Sequence, residues 1–399
     1  MTERNKYFFP AIFLLVGLVG GGLTGYFTSQ AFISPTAGRL KAGFIYVGPI
    51  GDIGWTHAHD FARLKLLDKF DWLETSYAEL VPEGEVSTYI DNFIAAGADV
   101  VFTTSYGFMP GTLFSSNQHT DKLFFHCSGE QRNKNMGTYF AEFYQLYYLN
   151  GMMAGALTQT DNIGYVAAYL IPEVVRHLNA FILGARAVNP NVNLSVRVIN
   201  AWFNPTEARA AAQSMVSTDN VDIIAFTEDS SEIVKYAEET ADVYAFAHYS
   251  PMLQFGPNST ISGQLVHWDV IYEDILSKVY AGAYNTTNLE DVDYFWMLKQ
   301  GAVELGADFG VPINPVFKND LKAVPATDPL TGASTNVYDL VGILTEYMGT
   351  ERVLFEPFTG PINYQNGSLW LPAGIRATYE QIWFMDHYIE GVVPAAPSI

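Results

Sequence analysis

From Leu40 onward, short apolar runs that read as strands alternate with longer runs of helical spacing, and this alternation starts twice. In the first round Leu40–Val47, Leu73–Ala78, Asp99–Thr103 and Lys122–His126 read as strands, with helices at His57–Phe70, Val86–Ala96 and, long and apolar, Phe143–Leu157. The second round opens with the strand Asn162–Ala168. It continues through helix Pro172–Val188, strand Leu194–Ile199, helix Thr206–Val216, strand Val221–Thr227, helix Ser231–Glu239 and strand Val243–Ala247. A βαβα rhythm predicts a parallel sheet with helices on both faces. Two such units in series predict an α/β protein of two doubly wound lobes with a cleft between them. No tight repeat of about 20–50 residues is present, so a solenoid is excluded.

The expected boundaries are 1–38 for an N-terminal segment and tether, 39–160 for the first lobe and 161–259 for the second. The stretch from about 260 to 399 completes the first lobe and adds a C-terminal extension. Within it, Trp268–Tyr280, Val337–Met348 and Thr378–Ile389 read as helices, and Phe355–Leu371 as a hairpin around Asn366-Gly367. The stretch Asn285–Thr335 has no clear period.

Composition removes several functions. The formal net charge is −21, with only 21 Lys and Arg among 399 residues. Nucleic-acid binding needs clustered basic residues against phosphates, so no nucleic-acid partner is expected. The single cysteine, Cys127, excludes an internal disulfide framework and reads as a buried thiol. Residues Phe8–Phe27 carry no charge and follow Arg4 and Lys6. As a helix this run would be about 30 Å long, enough to cross a bilayer core, and the preceding basic residues favour a cytoplasmic N-terminus. A retained anchor is favoured over a signal cut near Ser29-Gln30-Ala31. Either way the rest of the chain is expected outside the cytoplasm, on the membrane face or secreted.

The first strand ends in Gly51-Asp52-Ile53-Gly54-Trp55. In an open α/β sheet, ligands sit beyond the carboxyl ends of the strands. This turn offers backbone N–H groups, a carboxylate and an aromatic face, but no P-loop lysine, which favours a flat, polar-edged ligand over a phosphate chain. Applying the rule to every strand selects Asp52 and Trp55, then Ser105 to Phe108 with Tyr106, then Ser128-Gly129. In the second unit it selects Tyr169 to Pro172, Trp202, Glu228-Asp229 and His248-Tyr249, with Trp268 further on. Aromatic rings can stack on a flat ligand while carboxylates and hydroxyls read its edge. For each there is a bland alternative: a helix-covering Trp55, a turn-forming Asp52, a capping Glu228 or Asp229, and a core Trp202, His248 or Trp268. No Gly-x-Ser-x-Gly elbow or His-Glu-x-x-His motif occurs. His57 and His59 are two apart and share no helix face, so no metal site, cofactor or catalytic residue is expected.

The run Gly43 to Asp60, Asn150-Gly151-Met152-Met153-Ala154-Gly155, Ile163 to Ala168, Asn179-Ala180-Phe181, Gly184-Ala185-Arg186, Trp202-Phe203-Asn204-Pro205 and Gly391-Val392-Val393 together resemble the basic membrane protein family. These are extracytoplasmic substrate-binding proteins of ABC importers, many of which bind purine nucleosides or bases. The resemblance covers about residues 41–395. It implies a type I periplasmic-binding-protein fold with three crossovers, a permease partner, and a base sandwiched by one aromatic from each lobe. By motif position these are Trp55 and Trp202, with Asp52 as the family's acidic residue. Nucleoside binders of the family carry an acid and a lysine where this chain has Ser250-Pro251 and His267-Trp268. That departure tilts the expectation toward a free base such as adenine. The expected function is therefore capture and delivery of a purine without chemistry. A membrane-tethered sensor on the same fold is the runner-up, and a nucleoside hydrolase, which would need an aspartate cluster for a metal, comes third.

Overall fold

The computed structural model describes residues 38–393. Its strands are β1 (Leu40–Ile45), β2 (Leu73–Ala78), β3 (Val100–Thr103), β4 (Leu123–Cys127), β5 (Met136–Ala141), β6 (Asn162–Ala167), β7 (Asn193–Val198), β8 (Ile223–Thr227), β9 (Tyr244–Tyr249), β10 (Thr260–Val266), β11 (Asp293–Trp296) and β12 (Val303–Leu305). The helices are α1 (Trp55–Lys69), α2 (Val86–Ala95), α3 (Met109–Gln118), α4 (Tyr144–Leu157), α5 (Pro172–Val188), α6 (Pro205–Asp219), α7 (Glu232–Glu239), α8 (Trp268–Tyr280), α9 (Lys318–Ala323), α10 (Val337–Gly349) and α11 (Tyr379–Trp383).

The strands form two main sheets with the same wiring. The first runs β11-β5-β4-β3-β1-β2 and the second β12-β10-β9-β8-β6-β7, extended by Val392–Val393. All neighbours are parallel except β10 and β12. In each sheet the opening strand lies between its second and third, so the order reverses beside β1 and again beside β6. Parallel strands covered on both faces read as nearly continuous apolar runs. Accordingly β3, β4, β5 and β8 are buried along their whole length.

The chain passes between the sheets three times, through α4, through α8, and between β11 and β12. The helix α4 is buried from Tyr144 through Gly155 and lies against α5. Two glycines permit that approach: a Cβ at Gly151 would stand 2.0 Å from the Phe181 carbonyl oxygen, and one at Gly184 would stand 1.9 Å from that of Tyr148.

Several expectations are corrected here. β5 and α3 were not read from the sequence. In α3, Pro110, Gly111 and two serines mask a helix that packing enforces. The boundary at 259/260 does not hold for the sheets. β10 pairs with β9, and β12 and Val392–Val393 also join the second sheet, while β11 alone among the later strands joins the first. The expected helix Thr378–Ile389 shortens to α11. The expected membrane span, 8–27, lies outside the described residues. Among those described, no helix is long and apolar enough to cross a membrane.

Where the chain leaves β5 for α4, Glu142 is completely buried. Its carboxylate accepts from Arg176 Nε at 2.7 Å and His177 Nε2 at 2.9 Å, and from the Phe143 and Tyr144 amides at 3.0 and 2.9 Å. Burial alone would raise its pKa, but Arg176 and His177 hold it down at about 2. Glu142→Ala leaves the Arg176 charge buried and unpaired, an error that costs about 3–5 kcal/mol. Urea unfolding should show a loss of that size, and a loss below 1 kcal/mol would show the pairing to be dispensable.

Candidate ligand-binding cavity

Both sheets point their carboxyl ends at one cavity with an empty volume of about 290 Å³. From the first sheet come Val47 after β1, Ser105 and Tyr106 after β3, and Ser128 after β4. The second supplies Trp202 after β7, Asp229 after β8 and Tyr249 ending β9. Trp55 and Glu173 reach it from the first turns of α1 and α5. This is the crevice that strand-order reversal creates in doubly wound sheets. Several loops at its rim need unusual backbone: Ile53, Ser128, Asn200 and Tyr249 have φ of 65°, 67°, 52° and 61°. Non-glycine residues in this region carry strain that concentrates at functional sites.

Trp55 is fixed from every side. Its indole N–H donates to the Thr104 carbonyl, and its ring meets Tyr249 and Trp268 edge-on at centroid distances of 5.0 and 5.2 Å. Trp202 is half-buried and packs edge-on against Tyr169 at 5.1 Å. The turn that follows it is held by Asn204, whose side chain caps α6 by accepting from the Glu207 amide at 3.2 Å.

The two halves touch beside the cavity. The Trp55 amide donates to Asp229 Oδ1 at 3.3 Å, and Ser250 Oγ donates to the Gly54 carbonyl at 3.4 Å. A Cβ on residue 54 would stand 2.6 Å from Asp229 Cα, so only glycine allows this approach.

Of the residues singled out in the sequence, Trp55, Tyr106, Ser128, Trp202 and Asp229 line the cavity together. Asp52 does not. Its carboxylate accepts from the Gly54, Thr56 and His57 amides at 2.8, 3.0 and 2.9 Å and so holds the turn that presents Trp55. Glu228 faces inward and accepts from Ser230 Oγ at 2.9 Å. His248 lies behind Tyr249, with Nδ1 at 3.1 Å from the Tyr147 hydroxyl. Trp268 has no exposed surface and stacks on His59 at 4.3 Å, backing Trp55 from below. Val47 and Glu173 were missed. Glu173 falls one residue beyond the selected segment Tyr169 to Pro172, where the first helical turn carries it back over the strand ends.

The site is rich in carboxyl groups that burial keeps from ionising readily. Asp52 is raised from 3.8 to about 6 and Glu173 from 4.5 to about 7, each chiefly by desolvation. Glu228 and Asp229 are also pushed well up by burial, with the Asp52 charge adding to both. Conversely, burial lowers the buried histidines His59, His126, His177 and His248. A raised carboxyl retains a proton that the unfolded chain has released, so it removes stability as pH climbs from its unfolded value toward its folded one. A lowered histidine removes stability as pH falls below its unfolded value of 6.5. Glu142 adds to the acid-side loss below about pH 4.5. Ligand-free protein should therefore melt highest in mildly acidic buffer and lower both at pH 8 and below pH 4. Differential scanning calorimetry showing a melting temperature that rises steadily to pH 8 would contradict these protonation states.

Comparison with known proteins follows the geometry. The family described as ABC transporter substrate-binding protein PnrA-like matches residues 39–324. A purine-binding protein of Brucella abortus is 32% identical over 362 residues, covering 90% of this chain and 95% of that protein. A Haloferax volcanii protein named for glucose binding in an ABC transporter is 33% identical over 308 residues, covering 77% of each. Among solved structures, an ABC transporter solute-binding protein from Aeropyrum pernix superposes with a TM-score of 0.65 at 12% identity, covering 82% of this chain and 93% of that one. That likeness supports the α/β fold, while the family match and the Brucella relative carry the assignment: the chain belongs to the ABC transporter substrate-binding protein PnrA-like family.

Proposed function

We propose that this protein captures a purine base of the adenine type between two closing lobes of a type I periplasmic-binding-protein fold, outside the cytoplasm, and hands it unchanged to a permease. Membership of the family supplies the coarser part: a small-molecule ligand, an ABC permease partner and an extracytoplasmic place of work. The observation that carries the finer part is the cavity's wall. Trp55 comes from one sheet's side and Trp202 from the other's, and both line the same cavity. A flat ring can stack on such walls once the two sides part to admit it, and touching both sides makes binding and closure a single event.

The Brucella relative is named for purine binding and the Haloferax relative for glucose binding, so a hexose is the reading to be tested against. Sugar sites present many polar groups to many hydroxyls. This cavity presents two tryptophans, two tyrosines and two serines, with carboxyl groups only at Glu173 and Asp229.

Stacking of a base on an aromatic ring contributes roughly 1–3 kcal/mol, about tenfold or more in affinity. Trp202→Ala, at a half-buried position, should weaken adenine binding by at least that factor with little change in melting temperature. Trp55→Ala should weaken it as much and also lower stability, because Trp55 supports Tyr249 and Trp268. Calorimetric titration of both variants decides the matter: unchanged affinity in both would place the ligand elsewhere.

A further inference from the structure

Among the carboxyl groups at this site, Glu173 and Asp229 line the cavity, while Glu228 lies behind it with Oε2 unpartnered. Asp52 is taken up by three backbone amides, Glu142 by Arg176 and His177, and Asp229 by the Trp55 amide. Glu173 is only 6% exposed yet lines the cavity. Arg176, one turn along the same helix, gives its Nε and terminal nitrogen to Glu142 at 2.7 Å, so its charge is matched away from Glu173. The Ser128 and Tyr249 hydroxyls stand near enough to lower the Glu173 pKa somewhat. Both are placed to donate to it, and Ser128 Oγ also lies 3.9 Å from Cys127 Sγ. A carboxyl that is nearly buried yet lines the cavity, with only two hydroxyls beside it, keeps hydrogen-bonding capacity for something that enters the cavity.

The geometry points to Glu173 as the residue that sets ligand specificity, holding the ligand's edge as a neutral carboxylic acid. In that form its O–H donates to a ring nitrogen while its C=O accepts from the adjacent N–H. One donor beside one acceptor is complementary to an amidine-like edge, which adenine carries at N1 and its exocyclic amine. A carboxylate offers acceptors only and would repel the ring nitrogen's lone pair. This role rests on the purine reading above and deepens it.

The surroundings favour the neutral form. Desolvation raises Glu173 to about 7, with Glu142 adding to the rise and Arg176 opposing it. From the other elements packed around it, Asp229 beyond β8, Tyr249 at the end of β9 and Cys127 at the end of β4 face it, with Tyr147 of α4 and Tyr165 of β6 deeper. Glu130 shares an adjoining recess with it. Apart from Arg176, none of these brings a positive charge that would favour the carboxylate.

The test is calorimetric titration of adenine into the full chain between pH 5.5 and 8.5, where adenine itself stays neutral, for wild type, Glu173→Gln and Glu173→Ala. Wild-type affinity should hold steady up to about pH 7 and then fall toward tenfold per pH unit, as expected when one retained proton is required. Glu173→Gln keeps one donor and one acceptor, so it should bind within about tenfold of wild type at pH 6 and lose the slope. Glu173→Ala should lose tenfold or more at pH 6. If Glu173→Gln falls as far as Glu173→Ala, or keeps the wild-type slope, or if Glu173→Ala binds as wild type does, the role is overturned while adenine binding stands. Absence of adenine binding by wild type at every pH overturns the purine reading and this role with it.

Discussion

Two β-sheets meet at one point where side chains leave no room. Gly54, in the turn after the first strand, comes so near Asp229 that any Cβ would stand 2.6 Å from the Asp229 Cα. Around that contact the site assembles. The Trp55 amide reaches Asp229 Oδ1 across the gap, Asp52 holds the turn by three amides, and Trp268 backs the Trp55 ring. A turn that is short, glycine-rich and capped by its own carboxylate can bring a helix N-terminus and a large aromatic ring to an interface without paying for long loops. The cavity is thus lined by residues from both sheets.

Much of this was legible in the chain. Apolar runs marked most strands of the two rounds, because parallel strands buried on both faces are largely apolar. The rule that ligands gather beyond strand ends selected Trp55, Tyr106, Ser128, Trp202 and Asp229, which line one cavity. It also named His248 and Trp268, which stand in the layer behind. Strand ends locate a residue along the chain but do not say whether its side chain points into the crevice or under it, and neighbouring positions such as His248 and Tyr249 part ways on that point. β10 was hidden because Ser262, Gly263 and Gln264 interrupt its apolar run, and β11 because it pairs with β5, far away in sequence. Glu173 was passed over because a helix, not a strand, delivers it.

The electrostatics divide the protein in two. The surface is strongly acidic, with a formal charge of −21, whereas the interior holds carboxyl groups that burial biases toward neutrality. Glu142 is different, kept ionised by Arg176 and His177 where the chain first crosses between the sheets. A buried ion pair therefore secures the crossover, while the cavity is lined by aromatic rings, hydroxyls and two carboxyls whose pKa burial raises. A site of that kind suits a neutral ligand with a flat apolar face and a polar edge better than an ion.

The most direct measurement of that claim is equilibrium dialysis of the purified protein against labelled adenine and labelled glucose in parallel. The account requires adenine to be retained at one molecule per chain, displaced by excess unlabelled adenine and unaffected by glucose. Retention of glucose, with adenine passing freely, would contradict it.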